Sequence, residues 1–195
     1  MTDLDIVVLG ATGYTGALTA EYLAAHIPPG LRWGLAGRDL GRLAAQRDRL
    51  AASGDRIPPD LPLIRADVTD ERSMRALAES TRVLVTTVGP YLRHGEPAVA
   101  ACAAAGTDYV DLTGEAEFVD LMYLRHQATA ERTGARLVHA CGFDSVPHDL
   151  GALFTVRQLP PDQPIRLHGY VEANASFSGG TVESAGNALA RSRQA

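Results

Sequence analysis

Three glycines at three-residue spacing, Gly10, Gly13 and Gly16, stand directly behind an apolar run of strand length at 6–9. Ala11, Thr12, Tyr14 and Thr15 fill the places between them, and Ala17, Ala20, Leu23 and Ala24 then recur at helical spacing. One short stretch therefore encodes a strand, a tight turn and a helix N-terminus. Gly10 permits backbone angles closed to other residues, Gly13 lets a ligand approach the main chain, and Gly16 lets the helix press on the strand. The N–H groups and positive dipole end of such a helix suit a pyrophosphate, which makes residues 10–16 a candidate dinucleotide turn. The spacing G-x-x-G-x-x-G departs from the G-x-G-x-x-G fingerprint, and a glycine-rich turn that holds nothing is the alternative. Its position, straight after a buried-type strand and straight before a helix, favours the functional reading.

Further polar residues close the later apolar runs. Arg38 lies about 20 residues past the turn, where a carboxylate would hold the ribose hydroxyls of NAD. An arginine there pairs instead with the 2′-phosphate of NADP, because its planar fork matches phosphate oxygens. Asp39 either accepts from a ribose hydroxyl or caps the helix that starts at Leu40. Asp67 either reaches the adenine amino group or closes a turn. Val88, Gly89 and Pro90 end the fourth run, where the backbone passes under a nicotinamide. Tyr91 and His94 are the nearest candidate proton donors, with a packing wall as the plainer role for the tyrosine.

All 18 basic residues are arginine and the chain has no lysine. Schiff-base catalysis, a phosphate-loop lysine and a Tyr-x-x-x-Lys pair are thereby excluded within this chain. Asp144 and Ser145 read as caps of a helix whose first turn holds Pro147. His148 in that turn either donates to a substrate or sits exposed, and His139 reads as a core or interface residue. Cys141 acts as a nucleophile only beside electropositive neighbours, and with Asp144 nearby a buried thiol is the better reading.

The elements that must position these groups alternate along the chain. Strands are expected at 6–9, 31–36, 61–66, 83–88, 109–112 and 136–140, with helices behind the glycine turn and at 40–50, 70–80, 96–105 and 115–132. Such alternation with right-handed crossovers gives an α/β fold, a doubly wound parallel sheet of the Rossmann type with strand order 3-2-1-4-5-6. The clusters named above then fall at the carboxyl ends of the strands, where such sheets bind ligands. A helix at 147–159 follows, broken by Pro160, Pro161 and Pro164. Residues 165–173 alternate as a strand would, and Ser178-Gly179-Gly180-Thr181 opens another helix toward Ala195. A half-polar strand without a partner is not a stable sheet. The expected organisation is therefore a nucleotide-binding domain at 1–150 and the truncated start of an α+β substrate domain at 151–195.

With 195 residues, 46% hydrophobic and 21% charged, the chain has room for one full globular domain and part of another. A net charge of -5 provides no basic footprint for nucleic acid or anionic membrane, so the expected partner is a small molecule. No apolar run approaches the roughly 20 residues of a membrane helix. Cys102 and Cys141 lie far apart in apolar surroundings and read as buried, reduced thiols of a cytoplasmic protein.

Taken together, the glycine turn, Gly37-Arg38-Asp39, Val88-Gly89-Pro90-Tyr91, the run from Asp108 through Glu115 and Cys141-Gly142-Phe143-Asp144-Ser145-Val146-Pro147 resemble the saccharopine dehydrogenase-like oxidoreductases. Within that family the chain is most similar to the trans-acting enoyl reductases of actinobacterial lipid synthesis. The resemblance implies an NADP-binding Rossmann domain followed by a substrate domain in a protein about twice this length. It also implies reduction of carrier-bound unsaturated acyl or polyketide intermediates, and it is compatible with a homodimer. An amino acid oxidoreductase of the saccharopine type and a non-catalytic NADP-sensing module are the other functions these residues allow. His148 departs from the pattern, standing where a small residue is expected.

Overall fold

The computed structural model describes residues 4–53, 57 and 60–172. Six parallel strands run β1 (Leu4–Leu9), β2 (Trp33–Gly37), β3 (Leu63–Arg65), β4 (Thr81–Thr86), β5 (Asp108–Asp111) and β6 (Leu137–Val138). Their order across the sheet is β3-β2-β1-β4-β5-β6, as the alternation of elements predicts. Helices α1 (Tyr14–His26), α2 (Leu40–Ala52), α3 (Glu71–Ser80), α5 (Glu96–Ala105) and α6 (Ala116–Thr133) make the crossovers. A short helix α4 (Tyr91–His94) interrupts the β4–α5 connection, and α7 (Val146–Val156) follows β6.

The pleat of the central strands separates two cores. Val7 and Leu9 of β1 pack with Met74 and Leu77 of α3, Val99 and Cys102 of α5, and Phe118 and Met122 of α6. Val8 points the other way, onto Ala20 and Ala24 of α1 and Leu43 and Leu50 of α2. Because both faces are covered, β2 buries all five of its residues, which is why these strands read as continuous apolar runs. Local chemistry sets the helix ends. Asp39 caps α2 by accepting from Arg42 N–H, and Asp70 caps α3 by accepting from Arg72 and Ser73 N–H. Gly106, at φ 75°, closes α5 in a left-handed turn.

The sheet edges are weaker than the sequence pattern suggests. β3 is three residues long and β6 two. The start of β6 is held by Arg136, whose guanidinium and backbone N–H both donate to Asp108 on β5. That guanidinium holds the Asp108 carboxyl below its usual value. Helix α7 forms as expected, but none of its residues is buried. It runs unbroken across residue 150, so the expected division at Gly151 falls inside a helix. No strand forms over 165–172, where the alternating pattern predicts one. Its expected last residue, Ala173, and the helix expected from Ser178 lie outside the described residues.

Leu84, fully buried in central β4, should cost about 2–5 kcal/mol when changed to Ala. Leu150→Ala on the exposed α7 should stay within about 0.5 kcal/mol of the parent chain in chemical denaturation. Asp108 has a depressed folded-state pKa, so its pairing with Arg136 stabilises the fold above the usual 3.8 and is lost as pH falls below it. Arg136→Ala should therefore lower the denaturation midpoint at neutral pH, with the difference closing in acid.

Candidate functional site

Residues 10–16 form a turn that no side chain caps among the described residues. The N–H groups of Gly10 and Ala11 donate to the Ala36 carbonyl and that of Gly13 to the Gly10 carbonyl. The N–H groups of Tyr14, Thr15 and Gly16 open α1, and no side chain caps that helix. Gly10 sits at φ 85°, in the left-handed region the sequence assigned it. A Cβ on Gly16 would lie 2.1 Å from the Gly10 carbonyl oxygen, so α1 rests directly on the turn. Thr87, just past β4, donates its hydroxyl toward the carbonyls of Leu9 and Gly10. It locks the turn to the neighbouring strand, a role that no local pattern announces. Ala11 is buried and contributes only backbone, whereas Gly13 and Tyr14 are exposed and Thr12 is half-buried.

Three arginines surround the carboxyl ends of β2 and β3. Arg38 is exposed at the end of β2. Together with Arg65, and beyond the Thr69 hydrogen bonds that dominate, it holds the Asp67 carboxyl below its usual value. Arg42, one helical turn further on, reaches the Thr12 carbonyl at 3.5 Å across the mouth of the glycine turn; sequence spacing alone did not single it out. Asp67 closes a turn: one carboxylate oxygen accepts from both the N–H and the hydroxyl of Thr69. Its other oxygen makes no hydrogen bond among the described residues.

Past β4, Val88 is half-buried, Gly89 exposed and Pro90 buried, and the Gly89-Pro90 peptide is cis. Tyr91 fails the sequence expectation of a proton donor. It is 5% exposed, its ring lies 5.7 Å from that of Phe118, and its hydroxyl donates inward to the Thr86 carbonyl at 3.2 Å. Burial pushes its pKa further up and leaves it a packing wall. His94 is half-buried, and its ring makes no hydrogen bond among the described residues.

A chain of buried polar contacts joins the loops after β4, β5 and β6. Glu115, 7% exposed, accepts from the N–H groups of Tyr91 and Leu92 at 2.9 and 3.1 Å. Its own N–H donates to the Thr113 hydroxyl, and Thr113 N–H donates to Asp111. Asp111, 1% exposed, also accepts from Ala140 N–H at 3.0 Å and lies 2.7 Å from His139 Nδ1. The sequence marked the run from Asp108 to Glu115 through the family resemblance, and His139 as core or interface. The Asp111–His139 pair went unseen because its members stand 28 residues apart. Asp144 and Ser145 make no side-chain cap on α7, contrary to expectation. Cys102 is buried and its thiol pushed up to about 12 by desolvation. Cys141 is only half-buried, a correction to its expected full burial, and desolvation with nearby Asp111 raises its pKa as well.

A hollow of about 630 Å³ opens at the opposite, amino end of the strands, beside the Arg82–Asp5 and Arg136–Asp108 pairs. A smaller hollow of about 280 Å³ starts at Thr12, Gly13 and Tyr14 and runs along α1 past Ala17 and Leu18 to Glu21 and to Arg49 of α2.

An uncapped glycine turn on the first crossover of a 3-2-1-4-5-6 parallel sheet defines a dinucleotide-binding Rossmann domain. Residues 6–138 match the saccharopine dehydrogenase NADP-binding domain, and the chain belongs to that family. It is 47% identical over 161 residues to a trans-acting enoyl reductase of Mycobacterium bovis, an alignment covering 82% of this chain and 37% of that one. It is 46% identical over 187 residues to a Mycobacterium tuberculosis protein that carries the same name provisionally, covering 93% of this chain and 43% of the relative. The chain thus spans less than half the length of these relatives. Among solved structures, apo saccharopine dehydrogenase (L-Glu forming) from Saccharomyces cerevisiae superposes with a TM-score of 0.62 at 17% identity, over 80% of this chain and 31% of that one. That likeness shows the fold. Among the described residues no helix is long and apolar enough to cross a membrane.

Gly16→Ala has no room for its methyl group and should cost about 1–3 kcal/mol by forcing α1 off the turn. At Gly13 a Cβ would lie 3.3 Å from the Gly10 carbonyl and otherwise face open space. Gly13→Ala should therefore keep nearly the parent melting temperature while weakening NADP binding, measured by calorimetric titration.

Proposed function

We propose that this chain is the cofactor-binding part of an NADPH-dependent enoyl reductase that acts in trans on carrier-bound unsaturated acyl chains. The 47% identity to a protein of that name supports the activity. The single structural observation that carries the reading is the free N–H row at the start of α1, with Arg38 and Arg42 beside it. In it the backbone from Gly10 through Gly16, including Ala11, Thr12, Gly13, Tyr14 and Thr15, seats the diphosphate. Arg38 and Arg42 hold the 2′-phosphate, and the second Asp67 oxygen is available to the adenine. Val88, Gly89 and Pro90 bound the nicotinamide. NADPH bound there supplies the hydride, and the chain's own task is to orient acceptor and cofactor and to deliver a proton. Of the two donors suggested by sequence, His94 keeps an accessible ring and Tyr91 does not. The substrate-binding part begins beyond the sheet, with α7 leading into it, and the reaction belongs in the cytoplasm.

The full-length protein should oxidise NADPH when given a short enoyl thioester of pantetheine, followed by nicotinamide absorbance and by mass of the saturated product. NADPH binding without turnover across a series of enoyl thioesters would reject the reductase reading and leave a nucleotide-binding module. Arg38→Ala should raise the apparent Kd for NADPH about tenfold or more, the loss of a charge-assisted contact, while NADH binding stays within about twofold. An equal effect on both would remove the 2′-phosphate assignment.

A further inference from the structure

We propose that His139, oriented by Asp111, is the acid of this site and gives its Nε2 proton to the substrate. The inference rests on the reductase reading above and adds to it the group that completes the reaction. Asp111 is anchored first by backbone: its Oδ1 accepts from Thr113 N–H and Ala140 N–H, both at 3.0 Å. Those two bonds fix the carboxylate whether or not the histidine is present. Oδ2 is thereby aimed at His139 Nδ1, 2.7 Å away, and Asp111's side chain keeps no accessible surface. A buried carboxylate bonded to two N–H donors accepts from the third, so Nδ1 carries the proton and the tautomer is set.

Packing fixes the ring as well. Phe118 meets it edge-on at 5.4 Å and 84°, and Tyr109 tilts against it at 5.5 Å. The Nε2 edge is what remains. Nε2 has no hydrogen bond among the described residues, and it is not one of their sealed, unpartnered atoms, which are Gln46 Nε2 and the Tyr109 hydroxyl. The His139 side chain keeps 11% of its surface accessible. It is the first residue past β6, at the same carboxyl end of the sheet as the glycine turn and Pro90. Ala140, next to it, holds φ 57°, a left-handed angle without glycine's freedom, tied down by its N–H to Asp111. A base with a buried carboxylate behind it, a fixed ring and one open nitrogen has the parts of an acid–base group. His94, by contrast, has nothing to set its tautomer.

The step balances. A bound NADPH would supply the hydride to the β-carbon, its own C–H bond breaking as it is oxidised, and the electron pair of the double bond would move into the thioester as an enolate. That pair then takes the Nε2 proton of the His139 imidazolium at the α-carbon: the N–H bond breaks, the second C–H bond forms, and the neutral imidazole regains its proton from water. The ionisable groups around the ring are Asp111 and Tyr109 of β5, Cys141 on its own loop, and Glu115 and Tyr91 on the facing loops.

His139→Asn in the full-length protein tests this, because the asparagine amide can still donate to Asp111 and so preserves the tie between loops. With crotonyl-pantetheine as substrate, kcat should fall about 100-fold or more, while KM, melting temperature and NADPH affinity stay near the parent values. A general acid must be protonated, so the parent kcat should decline as pH rises through the pKa of the acid, and that alkaline limb should be absent from the variant. A kcat within threefold of the parent with the alkaline limb retained would overturn the assignment. Absence of turnover by the parent protein would instead overturn the reductase reading. Independent of turnover, histidine nitrogen NMR of the NADP-loaded protein should show a protonated Nδ1 at His139. Its Nε2 resonance should move on addition of butyryl-pantetheine; an Nε2 resonance that stays in place would also overturn the assignment.

Discussion

Everything at this site depends on how closely α1 approaches the end of β1. The helix is seated against the Gly10 carbonyl with no space for even a methyl group on Gly16, and Thr87 bonds the same turn from β4. That contact sets the first turn of α1, which meets no capping side chain among the described residues, at the carboxyl edge of the sheet. A helix held one side chain further away would point the same dipole at its own strand loop. A helix N-terminus suited to an anion therefore follows from packing, and the polar groups involved are backbone that any sequence possesses.

The two halves of the sheet solve different electrostatic problems at the same edge. The β1–β2–β3 half leaves donors unsatisfied and sets arginines around them, an arrangement suited to phosphates. The β4–β5–β6 half does the reverse and buries two carboxylates, Asp111 and Glu115. Buried carboxylates are costly unless every lone pair has a donor, and these find theirs in backbone N–H groups of three different loops and, for Asp111, in the His139 ring as well. The cost is thereby converted into geometry, since moving any one loop would strand a charge. Residues 88–94, 112–115 and 139–142 thus keep fixed mutual positions although they share no regular structure.

How much of this the sequence disclosed depended on the range of the interactions. Strand order, the glycine turn, the Asp39 option as a cap and the arginine at the end of β2 are local patterns, and local patterns are legible. Edge strands were overestimated because β-branched and apolar residues at 61–66 and 136–140 look the same whether or not a neighbour pairs with them. The alternation at 165–172 misled for the same reason: period two states which face would be buried, not that a partner exists. Helix α7 is apolar yet buries none of its residues. Thr87, Arg42 and the Asp111–His139 pair escaped because each acquires its role from contacts 28 or more residues away in sequence.

Position in sequence also proved a poor guide to chemistry next to the Gly89-Pro90 turn. Tyr91 directly follows Pro90, yet its proton is already given to a strand carbonyl and its ring is sealed against Phe118. The same Phe118 ring packs on its other side against His139, whose neighbour is a carboxylate and not a carbonyl. One aromatic residue thus separates a hydroxyl whose proton is occupied from an imidazole whose second nitrogen is not. Burial removes the tyrosine from acid–base work because desolvation opposes its anion, whereas the histidine has the Asp111 carboxylate 2.7 Å from its Nδ1. Which of two polar side chains can act is decided by what stands behind it.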